Sequence, residues 1–113
     1  MQEWPDAVGS FSTVRDAFER EVLAWPAVSS HTMFGCPSYL ADGELFAVLS
    51  DQGLSLTRLP DDDRRVLAAT HRVFPFIANG RAVASWTTVA VTPDELDAMF
   101  PVVKKSYDAA LAA

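Results

Sequence analysis

Cys36 is the one thiol in the chain, set in Met33-Phe34-Gly35-Cys36-Pro37 between two residues that punctuate the backbone. A nucleophilic cysteine needs a lowered pKa, which a histidine or a helix N-terminus supplies. His31 and His71 are the two histidines. Sequence spacing does not place the His31 ring within hydrogen-bond reach of Cys36, so Cys36 reads as a small apolar residue in a turn. A metal site would draw on His31, Cys36, His71 and either Asp42 or Asp51, but no pair among them has the spacing of a zinc motif. Asp61-Asp62-Asp63 is a carboxylate cluster that its position explains, as the acidic first turn of a helix. The glycines, at 9, 35, 43, 53 and 80, are isolated and make no phosphate loop. No Ser-His-Asp order can be drawn. Thus no catalytic, metal or cofactor-binding residue is assigned, and no cofactor is expected. Phe74, Phe76, Arg81 and Trp86 remain, around the turn Asn79-Gly80. Aromatic residues interleaved with arginine bind partners or stack on bases. These four form the candidate interaction surface. The competing explanation is core packing beside an exposed turn.

The elements that would position these residues follow from periodicity. Ser12 has the type of an N-cap, and Phe11, Val14, Phe18, Val22 and Trp25 recur at helical spacing up to Pro26. The period then changes. His31 to Phe34 and Ser38 to Ala41 read as one extended stretch around Gly35 and Pro37. Asp42-Gly43 predicts a hairpin, Glu44–Ser50 a strand, Asp51-Gln52-Gly53 a tight turn, and Leu54–Leu59 another strand. Pro60 before three aspartates predicts a short helix. Val73, Phe74 and Phe76 predict a strand interrupted by Pro75, which argues for an edge or a bulge. Asn79-Gly80 predicts a hairpin into the strand Ala84–Val91. Thr92-Pro93-Asp94-Glu95 carries a capping box, and Leu96, Phe100, Val103, Tyr107 and Leu111 form the stripe of a terminal helix. Pro101 is expected to kink or break it.

The predicted fold is α+β: a five-stranded antiparallel sheet with helices packed on one face, in the order α-β-β-β-α-β-β-α. Residues 1–113 form a single domain, with 1–10 loosely held.

Composition narrows the partners. The chain has 113 residues, half of them hydrophobic, which suffices for one core and argues against disorder. Its net charge of −6 lowers the expectation of nucleic-acid or anionic-membrane binding. No apolar run reaches the ~20 residues of a membrane-spanning helix. Met1 to Asp6 has neither the basic residue nor the apolar block of a signal peptide.

The stretch Met33-Phe34-Gly35 … Tyr39-Leu40-Ala41-Asp42-Gly43-Glu44-Leu45-Phe46-Ala47-Val48-Leu49 resembles the N-terminal domain of TfoX/Sxy-type proteins. The matching pieces continue with Gly53 to Leu56, Leu59 to Arg64, Pro75-Phe76, Gly80-Arg81 and the strand holding Trp86. The ending, from Asp94 to Tyr107, also resembles the MmcQ/YjbR-like proteins, with their Ser-Tyr pair in the last helix. The resemblance spans about residues 14 to 110 and implies a two-layer sandwich like that of type III secretion chaperones. It brings no catalytic residue set. The function it implies is a small cytoplasmic protein that acts by protein–protein contact or self-association. One alternative is a nucleic-acid-binding accessory, which would need Arg58, Arg64, Arg65, Arg72 and Arg81 on one face. Another is a small-ligand binder with a cavity lined by Phe46, Trp86 and Tyr107.

Overall fold

A computed structural model describes residues 7–113. Helix α1 (Ala7–Val22) leads into strands β1 (Val28–Met33), β2 (Cys36–Ala41), β3 (Glu44–Ser50) and β4 (Gly53–Leu56). Helix α2 (Asp61–Thr70), strands β5 (Val73–Ala78) and β6 (Arg81–Val89) and helix α3 (Pro93–Leu111) follow. The strands make one antiparallel sheet in the order β1-β2-β3-β4-β6-β5. The fold class is therefore α+β, as the sequence predicts.

The sheet has six strands, not five. The stretch read as one extended segment is a hairpin, with Met33 opposite Cys36 and Phe34-Gly35 as its loop. Both loop residues lie in the left-handed region, at φ +56° and +73°. That is the mirror-image turn that matches strand twist. Its usual signature is Asn-Gly, and Phe34 hides it.

Helix α1 begins at Ala7, so Ser12 lies inside it and does not cap it. Of the residues expected to be loosely held, 7–10 are helical and 1–6 lie outside the described residues. Helix α3 continues through Pro101 without a break. The ring costs about 3 kcal/mol in a helix interior. Burial of Leu96, Met99, Val103, Tyr107 and Ala110 on both sides of it outweighs that cost. At its N-terminus the Glu95 carboxylate accepts the Thr92 N–H at 3.0 Å, as the capping-box spacing predicts.

The helices cover one face of the sheet. Helix α3 packs on β2 and β3, α1 packs on α3, and α2 touches α3. Val14, Phe18 and Val22 of α1 meet Tyr39, Leu49, Leu54, Leu56 and Val89 of the sheet in this core. Phe46 joins it through a register shift. Tyr39 pairs with Ala47 and Leu40 with Leu45, which leaves Phe46 as the extra residue of β3. Its ring lies 5.5 Å from Tyr107 and 6.4 Å from Trp25.

Candidate functional site

Among the described residues no helix packs on the opposite face of the sheet, yet it is partly dry. Ser38, Val48, Ser55 and Thr88 form a row across β2, β3, β4 and β6, with none of them solvent-accessible. The hydroxyls are satisfied locally: Ser55 and Thr88 bond each other at 2.7 Å, and Ser38 Oγ donates to the Cys36 carbonyl of its own strand at 3.1 Å.

Sheet curvature supplies the cover. Phe34 tips the β1–β2 hairpin, while Phe76 lies on β5 at the far end of the strand order. Their rings are nonetheless 6.1 Å apart, and each contacts Trp86, at 5.9 Å from Phe34 and 5.2 Å from Phe76. A flat sheet would separate them by several strand widths of ~4.8 Å. The two outer hairpins therefore curl toward each other over this face. A register break between Phe74 and Phe76 bends β5 into this curl. The Gln52 side chain then ties the β3–β4 turn to Ile77 of β5. Arg64 of α2 donates to the Ala84 carbonyl at 3.1 Å and holds β6 from the other side.

The three rings form a graded patch. Phe76 is buried, Trp86 is half-buried, and Phe34 is 56% exposed. Ile77 beside it is also exposed. A cleft of about 350 Å3 opens next to the rings, between Phe34, Cys36, Gln52 and Phe76.

Of the four residues proposed from sequence, Phe76 and Trp86 come together in this patch. Phe74 lies next to it, lining a shallow cavity of about 290 Å3 with Trp86 and Arg64. Arg81 stands apart, exposed and opposite Ala78 where the hairpin closes. Phe34 was not among those four. The available signal was an aromatic side chain in the first position of a two-residue loop.

The catalytic candidates are not brought together. The Cys36 thiol donates to the Phe34 carbonyl at 3.4 Å. Burial pushes its pKa up, and the Asp51 charge adds to that, which is the opposite of what a nucleophile needs. His31 lies exposed on β1, and His71 ends α2, with Nδ1 2.9 Å from the Thr70 hydroxyl. Among the described residues, no group of three or more His, Cys, Asp or Glu gathers for a metal. Asp61 and Asp62 pair with Arg64 and Arg65 on the first turn of α2.

Three of the five arginines of the nucleic-acid reading are engaged with carboxylates, Arg58 with Glu44 at 2.6 Å and Arg64 and Arg65 as above. Phe46 and Tyr107 fill the core together with Trp25, whereas Trp86 lies on the other face of the sheet, so these three do not line one cavity. Ser106 and Tyr107, the pair quoted in the resemblance, both anchor α3. Ser106 Oγ donates to the Phe46 carbonyl at 2.7 Å and accepts from the Arg58 N–H at 3.1 Å. The Tyr107 hydroxyl donates to the Pro26 carbonyl at 2.7 Å.

Neither a family model, nor a curated protein, nor a solved structure matches this chain. No helix among the described residues is long and apolar enough to cross a membrane.

Proposed function

We propose that the chain is a small cytoplasmic domain of the TfoX N-terminal type, which binds an apolar side chain of a protein partner through Phe34, Phe76 and Trp86 and performs no catalysis. The observation that carries this reading is Phe34. A bulky residue in the left-handed region costs about 1–2 kcal/mol. Phe34 stands there at φ +56° with more than half of its surface in solvent. Strain at an exposed aromatic points to use of the ring, not to stability. Aromatic anchors over a desolvated base dominate the energetics of protein interfaces.

The secretion-chaperone-like order implied by the resemblance has five strands. This chain splits the first of them into a hairpin, and that hairpin delivers Phe34. The engaged arginines and the net charge weigh against nucleic acid as the partner.

The test compares tagged wild-type chain and Phe34→Asn, purified from the native cell, with bound protein and nucleic acid both identified. Asn suits the left-handed turn. Relief of backbone strain offsets the lost ring contacts, so the variant's stability stays within about 1 kcal/mol of wild type. A stoichiometric protein partner retained by wild type and lost by Phe34→Asn is the expected result. Nuclease-sensitive recovery of DNA or RNA by both chains overturns the reading. So does a saturable turnover that Cys36→Ala abolishes.

A further inference from the structure

The two edges of the sheet are built differently. Edge strand β5 contains Pro75, breaks register between Phe74 and Phe76, and has the N–H and C=O of Ile77 occupied by Gln52. Each of these features obstructs strand addition. Edge strand β1 lacks the first two, and of its backbone groups the Val28 N–H at the strand's start bonds the Trp25 carbonyl at 3.4 Å. It reads Val-Ser-Ser-His-Thr-Met, with no proline, lysine or carboxylate, and pairs with β2 without a register shift. All of its residues after Val28 are exposed. In a chain of net charge −6 this edge carries no acidic group.

Hydrogen-bond alternation shows which backbone groups face outward. The two-residue loop makes Met33 and Cys36 a hydrogen-bonded pair. Alternation then makes His31–Ser38 and Ser29–Leu40 hydrogen-bonded pairs as well. The Asp42 N–H bonds the Ala27 carbonyl at 2.9 Å, which continues the same spacing. The N–H and C=O groups of Val28, Ser30 and Thr32 therefore point away from β2. Among the described residues, no strand pairs with them.

We propose that β1 is a dimerisation edge. Two copies of this chain pair β1 with β1, antiparallel, across a two-fold axis at Ser30. Val28 of each copy lies opposite Thr32 of the other. This register pairs both backbone groups of Ser30 and sets the Thr32 N–H against the Val28 carbonyl on both strands, because Val28 and Thr32 are symmetric about Ser30; the Thr32 carbonyl shares the Val28 N–H with Trp25. The occupant is a second copy, since two acidic molecules meet here at an edge where neither bears a carboxylate, and the edge offers no charge to select a charged peptide. The pairing uses the β1 backbone and not the aromatic rings, so it does not depend on the partner-binding reading.

Strand pairing alone is a small interface, so assembly depends on concentration. Sedimentation of the purified full chain from micromolar to millimolar concentration tests it, alongside amide exchange. The expected result is a dimer that grows with concentration, with slower exchange at Ser30 and Thr32 in parallel. Ser30→Glu and Ser30→Lys each place like charges opposite one another on the axis, and each is monomeric. Their equimolar mixture dimerises again. The Ser30 side chain is exposed, and thermal melts verify that both variants fold. A wild-type chain that stays monomeric throughout overturns the proposal. So does dimerisation of Ser30→Glu alone, or a mixture that remains monomeric. Phe34→Asn dimerises like wild type, which separates this outcome from loss of the protein partner.

Discussion

The Gln52 side chain holds both backbone groups of Ile77. Its Oε1 accepts the Ile77 N–H at 2.8 Å, and its Nε2 donates to the Ile77 carbonyl at 2.9 Å. A side chain thereby does the work of a neighbouring strand on β5. It closes the curl that brings Phe76 toward Phe34. Gln52→Ala removes both bonds, at a cost of about 1–2 kcal/mol at this partly exposed site. The Ile77 amide then exchanges roughly tenfold faster. Unchanged protection at Ile77 would show that the register break alone curves the sheet.

Tyr39 sets an alkaline limit on stability. Its ring packs edge-on to Phe18 at 5.0 Å, and its hydroxyl donates to Glu19 Oε2 at 2.7 Å. Burial first, and then that hydrogen bond, hold the phenol well above its ordinary range. The unfolded chain ionises near pH ~10, so the contribution is fully present below that pH and is lost above it, by up to ~1.4 kcal/mol per pH unit. The raised Cys36 thiol acts in the same direction from a lower pH. Urea melts between pH 7 and 11 in a Cys36→Ser background isolate Tyr39. Tyr39→Phe costs about 1 kcal/mol at neutral pH and flattens the fall above pH ~10.

Gly53 is required where β4 meets β6. At φ +135°, a Cβ there would stand 2.6 Å from the Val89 carbonyl oxygen. Backbone cannot yield as a flexible side chain does. Strand β4 is also the sole neighbour of β6 on that side, so this contact joins the two hairpin systems of the sheet. Gly53→Ala costs about 1–3 kcal/mol in backbone strain alone, before any displacement of β6. A thermal melt with the midpoint unchanged would contradict the close approach.

Ser106 bridges three elements with one hydroxyl. It bonds the Phe46 carbonyl of β3 and the Arg58 N–H that follows β4, and it is fully buried. Ser106→Ala leaves the Arg58 N–H without that partner, at about 1–3 kcal/mol where water cannot reach it, while the Phe46 carbonyl keeps the Thr57 N–H at 3.2 Å. Denaturant unfolding reads the loss directly. A change below about 0.5 kcal/mol would mean that water enters in place of the hydroxyl.

Several turns were legible because their chemistry is local. Asp42-Gly43 and Asn79-Gly80 carry their positive φ angles in residues that tolerate them. The capping box at Thr92 and Glu95 is local in the same way, as is the proline that marks β5 as an edge. The errors were local conflicts that the fold overrides. Ser12 has the type of a cap but sits inside a helix that begins earlier. Pro101 should break α3, yet flanking core contacts hold the helix together. Phe34 is a poor residue for a mirror-image turn, and the hairpin closes on it all the same.

The sequence by itself determined the α+β class, the all-antiparallel pairing, the acidic balance and the bounds of β3, because hydrophobic period, turn residues and charge are properties of short stretches. It also placed Phe76 and Trp86 in one neighbourhood, since a single hairpin joins them. Only the tertiary structure decided that Phe34 completes their cluster from the other end of the sheet. Only it showed that Gln52 blocks one edge while β1 stays open. Both depend on twist and bulges accumulated over six strands, a curvature that no window of residues contains.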